Sequence, residues 1–178
     1  MRIVVHGQQA FGKAVLEALI KRGEEVVAAY VAPEKEGAKT DPLKEAAVAA
    51  KLPIYQPASY RKPEVWEEFR ALKPDLQVMA FVTLFVPEEF LNIPTHGSIQ
   101  YHPSLLPAYR GASAINWPII KGEKETGYQS SGRTMVSIPV PFWSRKKLRS
   151  VPTTRSAPSI SIACFRWASR RCWKASIS

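Results

Sequence analysis

Gln100-Tyr101-His102 closes a short run that begins at Gly97, and Pro103-Ser104-Leu105-Leu106-Pro107 follows it directly. Prolines lack the N–H donor and fix the chain, so this segment neither continues a sheet ladder nor starts a helix. A histidine titrates near neutrality, which suits His102 to proton transfer. Gln100 lies two residues earlier and so on the same face of an extended strand. Polar side chains at the end of a buried strand, held by a stiff loop, are how α/β enzymes present catalytic groups. On its own a strand-end histidine reads as a hydrogen-bonded structural residue; the motif around His102 is what carries the catalytic reading.

Other candidates are weaker. His6 ends one apolar run and His96 begins a turn, so both read as incidental. Gly7-x4-Gly12-Lys13 mimics a phosphate-binding loop, but Ala14 stands where a Mg²⁺-binding Ser or Thr is required. Two glycines there read first as residues chosen for a tight strand-to-helix turn. Arg110 suits either an anionic substrate group or a loop cap. No spacing of His, Cys and carboxylates suggests a metal site.

The elements that position these residues alternate. Arg2–His6, Glu25–Val31, Pro53–Tyr55, Leu76–Phe81 and Gly97–Tyr101 read as strands. Helices are expected after Gly12 through Arg22 with Gly23 as the stop, over Leu43–Lys51, Pro63–Leu72 and Glu88–Leu91, and from Gly111-Ala112-Ser113 onward. Val65, Trp66, Phe69 and Leu72 form an apolar stripe that belongs in a core. This order predicts an α/β fold: a Rossmann-like, open, mainly parallel sheet with helices on both faces, its ligand site beyond the carboxyl ends of the strands. At 178 residues the chain is long enough for a substantial core. It has no run approaching a membrane span and no signal-peptide pattern at its start, and two cysteines are too few for a disulfide framework; a reduced, cytoplasmic protein without a membrane partner is expected.

The Gly97–Gly111 stretch resembles the folate-dependent formyltransferase family, whose signature is Asn-x-His followed by Ser-Leu-Leu-Pro and Arg-Gly. The branch it is most similar to is the hydrolase domain of 10-formyltetrahydrofolate dehydrogenase and its stand-alone bacterial relatives, on His96-Gly97-Ser98-Ile99 and Gly111–Trp117. The resemblance covers residues 1–127. It implies a one-carbon enzyme that uses 10-formyltetrahydrofolate as donor or substrate, without a metal. His102 and Gln100 would be catalytic, Gln100 near the formyl oxygen where transferases of the family use Asn. The Phe81–Phe85 loop (Phe81, Thr83, Leu84, Phe85) would receive the pterin ring through main-chain groups. Ser104, Leu105 and Arg110 would bind substrate, and the Gly7–Gly12 turn would lie near the acceptor side. The added methylene of Gln100 weakens the transferase reading and suits the hydrolase branch.

Residues 128–178 depart from everything before them. Residues 1–127 carry 15 Lys and Arg and all 15 Asp and Glu, whereas 128–178 carry 10 basic residues, 11 serines, both cysteines and no acid. The family pattern expects an Asp in a Gly-Leu-Asp-Thr-Gly-like motif here, and none follows Glu125. Codons for this segment, read one base earlier, restore that motif with permitted choices. Met135-Val136 forces a glycine, and an Asp falls at the position of Ile138, 36 residues after His102. The expectation is an incomplete catalytic domain over 1–127, then an out-of-frame, poorly ordered tail over 128–178 and impaired catalysis.

Two alternatives stand beside this. Methionyl-tRNA formyltransferase shares the core and would add tRNA as partner; the mixed-charge loop after Val31 and the missing C-terminal barrel rank it second. Glycinamide ribonucleotide formyltransferase ranks third on the Gln100 change. A non-enzymatic reading makes Arg145-Lys146-Lys147-Leu148-Arg149 and Arg170-Arg171, with Trp143, Trp167 and Trp173, a nucleic-acid surface. The formyl acceptor and oligomeric state are not assigned by any of these features.

Overall fold

A computed structural model describes residues 1–34, 37–111, 113–132 and 142–149. Two compact units divide it: one built on residues 1–100, the other on 101–131 with 142–149.

The first unit is a parallel sheet. Its strands are β1 (Arg2–Gly7), β2 (Glu25–Val31), β3 (Ile54–Tyr55), β4 (Leu76–Ala80) and the first part of β5 (Ser98–His102), in spatial order β3-β2-β1-β4-β5. Register runs Val5 to Ala29 and Val78, and Met79 to Gln100. The helices between strands are α1 (Gln9–Lys21), α2 (Pro42–Ala49), α3 (Pro63–Ala71) and α4 (Glu88–Leu91). Side chains alternate across the pleat. Val4, Ala28, Tyr30 and Met79 pack with Tyr60, Val65 and Phe69 from the α3 side and with Phe90 and Leu91 of α4. Ile3, Val5, Ala29 and Val31 are buried too, and α1 and α2 pack against β1 and β2 with Leu16, Leu19, Leu43 and Ala47 buried. Phe69 and Phe90 stack at 4.3 Å between ring centroids, and Tyr30 meets Phe69 edge-on at 5.3 Å.

Several expected boundaries shift by a residue or two, α1 starts at Gln9 instead of after Gly12, and three shifts have a local reason. Gly97 takes φ +75°, so it belongs to a turn and β5 starts one residue later. Phe81 takes φ +64°, a left-handed conformation that removes it from β4. The helix expected from Gly111 forms only as α5 (Asn116–Ile120) in the second unit, after turns at Ser113–Ile115. Starting at Asn116 puts Pro118 in the first turn, where its missing N–H leaves no intrahelical bond unmade. The second unit also holds the antiparallel pair β6 (Glu125–Gly132) and β7 (Phe142–Arg149). Most of β6 and all of β7 fall in the segment expected to be poorly ordered from residue 128; residues 133–141 and 150–178, with Ile138, Trp167, Trp173 and the Arg170-Arg171 pair, lie outside the described residues.

Gly7, at the end of β1, and Gly12, inside α1, are there for space. A Cβ at Gly7 would lie 2.2 Å from the Ala80 carbonyl oxygen, and one at Gly12 would lie 2.9 Å from Leu43 Cδ2. Gly23, at φ +77°, ends α1 as the sequence predicts.

One polar chain crosses the core face that carries α3 and α4. His6 Nδ1 lies 2.8 Å from the Gln77 amide, which lies 2.8 Å from Ser98 Oγ; that hydroxyl lies 2.7 Å from the Leu91 carbonyl oxygen. His6, Gln77 and Ser98 are all buried, and burial pushes the His6 imidazole down to about 3. A histidine that cannot be charged in the folded state, but charges once unfolded, binds more protons when unfolded. Stability therefore rises with pH across the window between the two values. Stability should fall as pH is lowered from about 6.5 toward 3, with His6 contributing a slope of up to about 1.4 kcal/mol per pH unit. Denaturation midpoints across that range check this, and a flat profile would contradict it. A second test concerns Tyr30, whose hydroxyl is buried without a hydrogen-bond partner among the described residues. Tyr30→Phe should leave stability unchanged or raise it by about 1 kcal/mol in urea unfolding.

Candidate active site

Parallel strands deliver their carboxyl ends to one edge of the sheet. In the first unit, β1 ends at Gly7, paired with Ala80 at the end of β4. A small cleft there is lined by His6, Gly7, Gln8, Ala32, Tyr60 and the Phe81–Leu84 segment. Gln8 Nε2 donates to Thr83 Oγ1 at 3.5 Å, linking the two turns. The Phe81–Phe85 loop leaves β4 through the left-handed Phe81, which is 43% exposed, and Phe85 is 52% exposed beneath the Arg61 guanidinium at 5.3 Å. Among the described residues, no backbone hydrogen bond engages the N–H or C=O groups of Val82, Thr83, Leu84 or Phe85. A loop with its main-chain donors and acceptors unspent suits a flat heterocycle whose edge alternates the same groups. Gln100 is half-buried and is the last residue of β5 in register with β4, opposite Met79.

The second unit carries the other expected site residues. His102 ends β5, and its Nε2 lies 3.2 Å from the Tyr109 carbonyl oxygen. A carbonyl only accepts, so Nε2 holds the ring proton and Nδ1 holds the lone pair. Burial lowers the His102 imidazole below its ordinary value, against an opposing upward pull from that backbone bond. Burial thus favours the neutral ring. Tyr109 is fixed from both sides: its hydroxyl donates to Glu123 Oε1 at 2.6 Å, and Lys121 Nζ lies 5.4 Å from its ring centre. Its backbone is left-handed at φ +54°, which aims the carbonyl back at His102. Ser104 is buried and donates through Oγ to the Ala108 carbonyl at 2.8 Å, while Leu105 accepts from the Ala108 N–H at 3.1 Å. These bonds close the loop between Pro103 and Ala108, so the Ser104 proton is committed to the loop. The Leu106–Pro107 peptide in it is cis. Arg110 is exposed.

Sequence reasoning passed over two residues that shape this edge. His6 read as incidental, yet it lines the cleft. Asp41 read as part of a polar loop; its carboxylate accepts from Gln9 N at 2.9 and 2.8 Å and from Leu43 N at 2.8 Å, capping α2 and meeting the start of α1 together. The Asp41-Pro42 pair is itself a helix-start signal, so the α2 cap was available to a reader; the reach to Gln9 was not. Among the described residues no group of His, Cys, Asp and Glu could hold a metal ion, and no helix is long and apolar enough to cross a membrane.

Known proteins agree with this architecture. Residues 1–130 match the family model described as formyl transferase. Over 133 residues, or 72% of this chain, it is 45% identical to cytosolic 10-formyltetrahydrofolate dehydrogenase of Mus musculus, of which it spans 15%. It is 43% identical over 132 residues to methionyl-tRNA formyltransferase of Alkaliphilus oremlandii, covering 71% of this chain and 43% of that protein. The chain thus spans well under half the length of these relatives. The fold matches phosphoribosylglycinamide formyltransferase of Bacillus halodurans with a TM-score of 0.76 at 20% identity, covering 98% of this chain and 92% of that one. A formyltetrahydrofolate deformylase of Pseudomonas syringae pv. tomato matches with a TM-score of 0.71 at 17% identity, over 94% and 57%. With this sheet, this site edge and a match across residues 1–130, the chain belongs to the formyl transferase family.

Proposed function

We propose that this chain takes 10-formyltetrahydrofolate as substrate and that its formyl group goes to water, with His102 as the base. The observation that carries the reading is the family match over residues 1–130, which takes in both the Phe81–Phe85 loop and β5. The unspent main-chain groups of Val82–Phe85 support a pterin-binding role for that loop. The relatives named as 10-formyltetrahydrofolate dehydrogenases support the substrate class. Thr83, Leu84 and Phe85 would act through backbone, and Leu105 and Arg110 would meet the remainder of the substrate.

The chemistry follows from the state of His102. Its Nδ1 lone pair takes a proton from water as the oxygen attacks the formyl carbon. Gln100 supplies an amide N–H to the oxygen that becomes negative. The imidazolium then returns its proton to the departing tetrahydrofolate nitrogen as the C–N bond breaks, leaving formate. A carboxylate beside the imidazole would stabilise its charged form, and residues 126–178 contain no acid to provide one. Loss of such a partner commonly costs several orders of magnitude, so this chain should bind folate and turn it over slowly. The methionyl-tRNA reading keeps the same core chemistry with a different acceptor, and the 43% identical relative is what supports it.

Calorimetric titration of the purified full chain with 10-formyltetrahydrofolate should show saturable binding, retained in His102→Asn. Residual formate release should drop further in that variant, by up to about 10² to 10⁴. Turnover unchanged in His102→Asn would remove His102 from the mechanism. Salt-sensitive nucleic-acid binding with no folate binding would favour the basic-tail reading instead.

The out-of-frame reading of 128–178 has its own check. Sequencing the source DNA through the codons for Thr126–Ser131 should reveal one base missing, with Asp restored near position 138. An intact frame would make the acid-free segment a genuine part of the protein.

A further inference from the structure

The His6–Gln77–Ser98 chain fixes where a proton sits at the wall of the β1 cleft. A serine hydroxyl has one proton. Ser98 Oγ lies 2.7 Å from the Leu91 carbonyl oxygen, which only accepts, so that proton lies on this contact. The Gln77 atom 2.8 Å from Ser98 Oγ must then donate, which makes it the amide nitrogen. The two ends of a glutamine amide are nearly identical in shape, and their hydrogen-bond partners decide which is which. The amide as placed has Oε1 toward Ser98 Oγ and Nε2 toward His6 Nδ1; turning it over puts its nitrogen on Ser98 and its oxygen on His6 Nδ1 at the same 2.8 Å. The opposite orientation would ask one hydroxyl proton to satisfy both the Gln77 oxygen and the Leu91 carbonyl. His6 Nδ1 therefore carries the ring proton, and Nε2 keeps its lone pair.

That nitrogen is unspent. His6 is 3% exposed and lines the cleft with Gly7, Gln8, Tyr60 and Thr83, and Nε2 has no hydrogen-bond partner among the described residues. Tyr60 holds the ring in place, with centroids 4.7 Å apart. The first N–H groups of the same turn are already engaged. The start of α1 would ordinarily attract negative charge, but Gln9 N already donates to both oxygens of Asp41, and Gln8 N donates to the Ala80 carbonyl at 3.3 Å. A second anion there would meet the Asp41 carboxylate.

We propose that the cleft at the end of β1 is a subsite for an uncharged hydrogen-bond donor, an N–H or O–H group accepted by His6 Nε2, and that Asp41 excludes phosphate from it. The subsite belongs to the first unit alone and does not depend on formyl transfer at His102. A phosphate-bearing ligand group would be turned away; a hydroxyl, amine in its neutral form or carboxamide would be held.

NMR on the uniformly ¹⁵N-labelled full chain reads the histidine tautomer directly through long-range proton–nitrogen couplings and follows the Gln9 amide in the same sample. The expected result is His6 protonated on Nδ1. In Ser98→Ala, which frees the Gln77 amide to turn, the population should move toward protonation on Nε2. Formamide, a small neutral donor, should shift the His6 Nε2 resonance saturably, whereas inorganic phosphate should leave it and the Gln9 amide unmoved. Asp41→Asn should gain a phosphate-dependent shift at the Gln9 amide. His6 protonated on Nε2 in the parent chain, no saturable formamide shift, or a phosphate shift in the parent chain would each overturn the proposal.

Discussion

The approach of β1 to β4 at their carboxyl ends governs the geometry of this site. Gly7 lies opposite Ala80, and any side chain at Gly7 would collide with the Ala80 carbonyl. Because that space stays empty, the Ala80 carbonyl can accept from the Gln8 N–H, and two chain exits are tied side by side. One exit turns directly into α1; the other turns through the left-handed Phe81 into the loop up to Phe85. A sheet whose strands diverged here would separate Gln8 from Thr83 and dissolve the cleft between them. The hydrophobic core beneath supplies most of the stability, but it would tolerate several ways of ending these strands. The missing Cβ selects one.

Charge placement at the same edge follows from a single side chain. Asp41 caps α2 through Leu43 N and also meets Gln9 N, so one carboxylate serves the positive ends of two helices. α1 and α2 pack on each other, with Gly12 against Leu43, which brings their starts within reach of that carboxylate. Helix packing therefore sets the electrostatics of the β1 turn. This explains why Gly7-x4-Gly12-Lys13 has the outline of a phosphate loop without its function: the glycines answer to Ala80 and Leu43, and an internal anion already meets the first helical N–H.

The sheet and most helix limits were legible because periodicity and punctuation agree: Glu25–Val31 and Glu88–Leu91 form as read, and Gly23 stops α1. Where reading failed, the deciding information was not local. The α5 start depends on where Pro118 can be accommodated, and Phe81 leaves β4 because its backbone is left-handed, which a run of apolar residues hides. His6 looked incidental since its partners, Gln77 and Ser98, lie 71 and 21 residues apart along the paths that join them. The loop from Pro103 to Gly111 was legible as a motif, yet the role of Tyr109 in holding His102 appears only in three dimensions.

His102 and His6 then illustrate how one residue type is tuned for different work. His6 is buried and His102 half-buried, and loss of hydration lowers both imidazoles below the ordinary value. Their protons are fixed on opposite ring nitrogens, because one ring faces a carbonyl through Nε2 and the other faces an amide oxygen through Nδ1. A backbone carbonyl can orient His102 but offers only a dipole to the imidazolium that forms when it takes a proton. A carboxylate would supply a full charge, so orientation without that charge favours the resting base more than the charged intermediate. Under the proposed function, that geometry would suit the first half of a proton shuttle, and the counter-charge for the second half would have to come from outside residues 126–178, which hold no acid.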